Sequence, residues 1–142
     1  MENGDKILQG SAEWFDMVGR LMCEAAAGSG LSPDLDLSLV ERYTDGAEIT
    51  EGRVQGIRFD IRGGKPSYRV GATKDERADI TVEITAAAAR ALNALRSTDP
   101  AYPLARERYL ATGEMHVEGD PSSLGQWLEE VHDPIVDRTL VS

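Results

Sequence analysis

Residues suited to chemistry gather in a few places along the sequence. Arg58 and Arg69 flank a glycine pair, with Arg62 and Lys65 close to the turn. Like charges brought opposite one another are unfavourable unless something offsets them. Either Asp60, Glu83 or a helix carboxylate neutralises the pair, or an anionic ligand group does, to which the arginine fork is suited. Glu114, His116 and Glu118 alternate and would share one strand face. Residues i and i+4 of a strand lie about 13 Å apart, too far to hold one ion, so this set reads as a solvated face and no metal site is expected. His132 and Asp133 are neighbours, and adjacent helical residues point about 100° apart, so they do not face each other as an acid–base pair. His132 reads as a helix-end residue near the carboxyl-terminal dipole. Cys23 has no cation beside it to lower its pKa, and Glu24 raises it, so a core or flanking thiol is expected. Tyr102, Tyr109 and Trp127, with Glu129 or Glu130, are the groups an acid–base or cation-stabilising enzyme would use. No Gly-x-Ser-x-Gly elbow, P-loop or dinucleotide fingerprint is present.

The elements that must position these residues follow from periodicity. Trp14, Phe15, Val18, Leu21, Met22 and Ala25 recur at offsets of three and four and predict a helix over about 7–28. Ser11 is its N-cap, unless Ile7 and Leu8 extend it backwards; Gly28 and Gly30 end it. Leu35, Leu37 and Leu39 alternate with polar neighbours as a half-buried strand requires. Ile57, Phe59 and Ile61 alternate likewise, Gly63-Gly64 supplies a tight turn, and Pro66, Tyr68 and Val70 return. A two-residue turn sets Arg62 against Lys65, Ile61 against Pro66, Phe59 against Tyr68, Arg58 against Arg69 and Ile57 against Val70, so that apolar meets apolar. Ile80, Val82 and Ile84 give a third copy, read as the next strand of an antiparallel meander. Thr85 caps a helix to Arg96, with Ala88, Ala91, Leu92 and Leu95 as its stripe. A shorter helix follows over Pro103–Leu110. Gly113 opens a strand with Met115 and Val117 inward. Asp120 caps a last helix with Leu124, Trp127, Leu128, Val131 and Ile135 on one face and a stop or kink at Pro134. Strands cluster before helices, which marks an α+β fold.

Length and composition bound the function. The 142 residues suit one domain, taken as 1–142 with its sheet and helical core over about 35–137. The single cysteine allows no internal disulfide. A net charge of −10 repels phosphate backbones and anionic membranes, so no nucleic-acid partner and no stable membrane insertion are expected. No apolar run reaches the roughly 18 residues of a membrane span. The polar, acidic first ten residues do not look like a secretory signal, and a cytoplasmic protein is expected. Arginine outnumbers lysine 12 to 3, a hint of a GC-rich bacterial genome.

Three stretches, in order, resemble the sterol carrier protein type-2 domain. They are the hairpin FDIRGGKPSYRV (Phe59–Val70), the segment ADITVEIT (Ala78–Thr85) before an alanine-rich helix, and ATGEMHVEGD (Ala111–Asp120). The resemblance spans about Leu35–Val131. It implies a mostly antiparallel five-stranded sheet covered on one face by helices, an apolar tunnel between them, and binding of sterols, fatty acids or acyl-CoA. It implies no catalytic residues to carry over. The chain departs from the pattern in its last helix, where Trp127, Gln126, Glu129, Glu130 and His132 replace small and apolar residues, and in Tyr102, Tyr109, Arg106 and Arg108 beside the tunnel wall. The small residues of the Thr85–Arg96 helix leave either a close helix–sheet approach or a cavity. Close packing is the default for a core, and the resemblance reverses it.

The expectation is thus an apolar small-molecule binder without cofactor. Phe59, Tyr68, Val82, Leu92, Leu95, Tyr102, Tyr109, Trp127 and Val131 are expected at the ligand, with Arg58 and Arg69 as contacts for an anionic head group. The alternative is a cofactor-free cyclase or isomerase on the same pocket, marked by an ionisable group facing inward. A third is a dimerising domain docked through the first helix, marked by an exposed Trp14/Phe15 patch.

Overall fold

The computed structural model describes residues 6–141. Helix α1 (Ala12–Gly28) starts where the sequence places its cap: Ser11 accepts from the Trp14 N–H at 3.1 Å. Ile7 and Leu8 do not extend it. They form β1, which pairs in parallel with the short β8 (Thr139–Leu140) near the other end of the chain. The Trp14 indole N–H donates to Thr139 Oγ1 at 2.8 Å and ties this pair to α1.

The sheet is built from β2 (Leu37–Tyr43), β3 (Glu48–Thr50), β4 (Arg53–Arg62), β5 (Lys65–Ala72), β6 (Ile80–Ile84) and β7 (Met115–Glu118). Five strands run in the order β5-β4-β2-β6-β7. The small β3 pairs with the start of β4, on the edge that β2 also uses, since Val54 has Glu48 on one side and Ala72 on the other. Within this sheet the pairings are antiparallel except β2 with β6. The β4–β5 hairpin has the register its turn demands, from Arg62 opposite Lys65 to Ile57 opposite Val70. Gly63 and Gly64 both have positive φ, +55° and +76°, as a two-residue hairpin turn of this hand requires.

The meander stops there. Strand β6 does not lie beside β5 but crosses to the far edge of β2 and runs parallel to it, Leu39 opposite Ile80 and Glu41 opposite Val82. Period-two alternation fixes which face a residue occupies, not which strand it lies beside. The crossing segment 73–79 brings Glu76 to the outward arginines.

Helices cover the other face. Helix α1 packs across β5 and β4, α2 (Ala86–Leu92) is capped by Thr85, whose Oγ1 accepts from Ala88 N at 3.1 Å, and α3 is Ala101–Thr112. Helix α2 stops short of the expected Arg96, ending at Leu92 with Asn93 as its C-cap, whose side chain donates to Ala89 O at 2.9 Å. Gly113 belongs to the end of α3, its N–H on Tyr109 O at 3.0 Å, and β7 begins after it. The last helix is broken into a 3-10 turn (Pro121–Leu124), α4 (Trp127–Glu130) and α5 (His132–Asp137). The helical run is interrupted at Val131, three residues before Pro134, which then sits in the first turn of α5, where a missing N–H costs nothing. Gly119 has φ +85°, and a Cβ there would sit 2.3 Å from the Asp79 carbonyl, so the β7 end presses on β6 only because this residue has no side chain.

Candidate functional site: a cavity with one carboxylate in its wall

Between the inward face of the sheet and the helices above it lies a half-open cavity of about 640 Å³. The sheet supplies Leu39, Glu41, Val82, Ile84, Met115 and Val117; α1 supplies Trp14, Val18 and Met22; α2 supplies Ala89 and Leu92. The mouth is more polar, with Tyr102 and Arg106 of α3, Glu129 and Glu130 of α4, and His132 and Asp133 of α5. The small residues of α2 therefore leave space rather than a close approach.

Of the residues expected at the ligand, the structure brings Val82, Leu92, Tyr102 and Val131 to this cavity. The other five lie elsewhere. Phe59 is fully buried against Trp127, ring centroids 5.4 Å apart, and the two fill that end of the layer. Trp127 donates to Leu124 O at 2.8 Å and lines a separate, more open hollow beside the end of α1. Tyr68 is drawn under α1: its hydroxyl donates to Asp16 at 2.6 Å and its ring occupies the space left by Gly19. Tyr109 is buried, with the Arg108 guanidinium 5.1 Å from its ring centre. Leu95 packs at the core edge and lends its carbonyl to His132 at 2.8 Å. For Phe59, Trp127 and Tyr68 a neighbour from another element claims the side chain, which the pattern of one strand or helix does not encode.

Arg58 and Arg69 lie on the opposite face of the sheet, away from the cavity. Glu76 receives both, Arg58 Nη1 at 3.0 Å, and Asp60 takes Arg58 Nε at 3.2 Å. Burial would raise the Glu76 pKa, but hydrogen bonds from the Thr73 N–H and both arginines hold it below the ordinary carboxylate range. The neutralising partner is thus a loop carboxylate with Asp60. Glu83 serves Arg42 instead.

Glu41 is the site residue that the sequence motifs do not single out. It continues the Leu35–Leu37–Leu39 alternation by one step, which puts it among Leu39, Ile57 and Val82 on the inward face. It is half-buried, and it lines the cavity wall. It has no hydrogen bond or ion pair among the described residues, and burial alone pushes its pKa up to about 6.

The mouth groups hold one another. The Tyr102 ring stacks on the His132 imidazole with centroids 4.3 Å apart, and the Arg106 guanidinium lies 5.7 Å from the centre of the Tyr102 ring. Leu95 O can only accept, so His132 Nε2 carries a proton, and burial lowers the His132 pKa and keeps the ring neutral. Asp133 accepts from the Ser97 N–H and Oγ, both at 2.7 Å, and these bonds lower its pKa. Glu114, just before β7, is half-buried, His116 and Glu118 on β7 are exposed, and Arg77 pairs with Glu118. No group of three or more His, Cys, Asp or Glu among the described residues is arranged to hold a metal ion. Cys23 is half-buried, and burial raises its pKa, with Glu24 adding to it. Trp14 and Phe15 are both buried, so they offer no exposed patch on α1.

No protein-family model matches the chain, and no curated protein matches it in sequence. Solved structures do match. A conserved hypothetical protein of Thermus thermophilus, described as a possible sterol carrier protein, superposes with a TM-score of 0.55 at 15% identity, covering 96% of this chain and 95% of that one. A sterol carrier protein 2 crystal structure gives 0.52 at 14% identity, with 90% and 96% covered. Among the described residues no helix is long and apolar enough to cross a membrane. With strand order, helical layer and cavity in hand, the chain has the sterol carrier protein fold.

Proposed function

We propose that this chain binds and carries an apolar small molecule in the cavity between sheet and helices. The observation that carries the reading is the cavity itself, about 640 Å³ and walled by Leu39, Val82, Leu92, Trp14, Val18 and Met22. That size lies within the roughly 300–1,000 Å³ of small-molecule sites. Each ligand methylene taken from water into it contributes about 0.8 kcal/mol. The fold shared with proteins described as sterol carriers supports the same reading. An environment-sensitive apolar dye should bind at one site per chain. Leu92→Trp should fill the space and abolish binding in a folded protein, checked by circular dichroism. Undiminished dye binding by folded Leu92→Trp would remove the cavity from the account.

A second reading, a cofactor-free isomerase or cyclase, is favoured by one observation. Glu41 faces the cavity with a pKa of about 6, in the range a general base uses. Such chemistry also needs an acid opposite the base, and the mouth groups that could serve are engaged with each other. Turnover separates the two. Deuterium uptake from D₂O into a bound cyclic enone, beyond the buffer rate and lost in Glu41→Gln, would favour the enzyme. Uptake at the buffer rate favours the carrier.

A further inference from the structure

We propose that the molecule this cavity takes is an apolar amine, its ammonium received by the Glu41 carboxylate and its hydrocarbon body by the apolar wall. The inference rests on the binding reading above and adds the chemical class of the ligand.

Glu41 is set among apolar neighbours, Leu39 two residues before it, Ile57 across β4 and Val82 across β6, with the buried Tyr43 two residues after it, whose hydroxyl is taken by Gln9. A charge in such a place is costly unless it is paired and hydrogen-bonded. Nothing among the described residues answers it. The chain does answer its other enclosed ionic groups: Glu76 has two arginines and a backbone N–H, and the buried Arg42 has Glu83. A partner able to answer Glu41 reaches it from the cavity side, and a donor suits it.

The charges that face the cavity decide its sign. Arg106 and Tyr102 come from α3, Glu129 and Glu130 from α4, His132 and Asp133 from α5. No ion pair joins Arg106 to Glu41; the guanidinium is laid on the Tyr102 ring. His132 is kept neutral by burial. Counting Glu41, four carboxylates face one guanidinium. A wall of that sign raises the local concentration of cations and lowers that of carboxylates and phosphates. The arginines that could have drawn an anion stand on the far face, already paired. A primary alkylamine titrates close to lysine, at about 10.4, and so stays charged through the range in which Glu41 ionises.

The test is displacement of the bound dye by decylamine, decanol and decanoate below their micellar concentrations. At about pH 7.5 the amine should bind about tenfold tighter than the alcohol, as a charge-assisted hydrogen bond gives. Decanoate should bind weakest. At about pH 5 the amine should lose most of that advantage as Glu41 takes up its proton, while the alcohol stays unchanged. Glu41→Gln should bring the amine to the level of the alcohol at both pH values; Glu114→Gln, just before β7 and outside the cavity lining, should leave the preference intact. The wild-type pH comparison reads the same carboxylate with no substitution, should Glu41→Gln not fold. An amine no tighter than the alcohol, a tighter decanoate, or a preference that survives Glu41→Gln would each overturn the proposal while leaving dye binding, and the binding reading, standing. No displacement by any of the three would overturn both.

Discussion

Glu41 and Arg42 are consecutive residues of β2, and they point to opposite faces of one sheet. Arg42 turns outward, is buried, and is met by Glu83 and by the Glu76 carbonyl at 3.4 Å. Glu41 turns inward and is met by nothing among the described residues. The outward face repeats the first arrangement throughout: Ser38 N–H and Oγ donate to Asp79 at 3.0 and 3.1 Å, and Arg58 and Arg69 share Glu76. On that face Arg42, Arg58 and Arg69 are each balanced by a carboxylate of the chain. On the inward face Glu41 has no such partner among the described residues. A fold that neutralises those arginines on one side and leaves a carboxylate open on the other has reserved that carboxylate for something it does not itself contain.

The largest effect that would test this contrast belongs to the outward face. Glu76→Ala leaves Arg58 opposite Arg69 with only Asp60 between them. It should cost about 3 kcal/mol, since it removes the acceptor of two charge-assisted hydrogen bonds and of the Thr73 N–H, read from the denaturation midpoint. A neutral result would mean that water, not Glu76, balances those arginines.

Next comes the inward face, with the opposite sign. The Glu41 pKa rises from 4.5 unfolded to about 6 in the fold. A raised carboxyl pKa stabilises fully below the unfolded value, and that contribution is lost as pH rises through about 6. In the free protein, Glu41→Gln should therefore stabilise by about 2 kcal/mol at neutral pH and change little near about pH 4. Glu76 has the reverse slope: its pKa is lowered, so its contribution is present above the unfolded value and lost as pH falls through the folded one. Two melts of each variant, at neutral and acid pH, should show the two faces crossing. Parallel pH profiles would erase the distinction between them.

The smallest effect concerns ligand choice. Arg58→Gln and Arg69→Gln should alter the ratio of decanoate to its methyl ester less than about twofold, since both arginines lie outside the cavity. A selective loss of the acid would bring the hairpin arginines back to the site.

How far the sequence could be read follows from what each signal encodes. The β4–β5 register was legible residue by residue, because two glycines fix a turn and a turn fixes a register. The caps at Ser11, Thr85 and Asp120 were legible for the same local reason. The parallel placement of β6 beside β2 was not, since alternation marks faces and not neighbours. Nor was Glu76, which reaches the arginines only through the crossing loop. The break at Gly125 also escaped: the apolar spacing Leu124–Trp127–Leu128–Val131 continues through it as if one helix ran on. Glu41 is different in kind. The alternation Leu35, Leu37, Leu39 reaches it and then Tyr43, so its inward position is written in the sequence. It is hidden only because the charged pair Glu41-Arg42 looks like the end of a strand.

The central claim is that Glu41 waits in the cavity for a donor brought by an apolar molecule. A carboxyl carbon NMR titration of Glu41, alone and with decylamine, tests it most directly. In the free protein the carboxyl should titrate near about 6, and with the amine bound it should fall below the ordinary glutamate value of about 4.3, because the ammonium favours the charged form. A Glu41 that titrates at the ordinary value in the free protein, and does not move when the amine is added, would contradict the account.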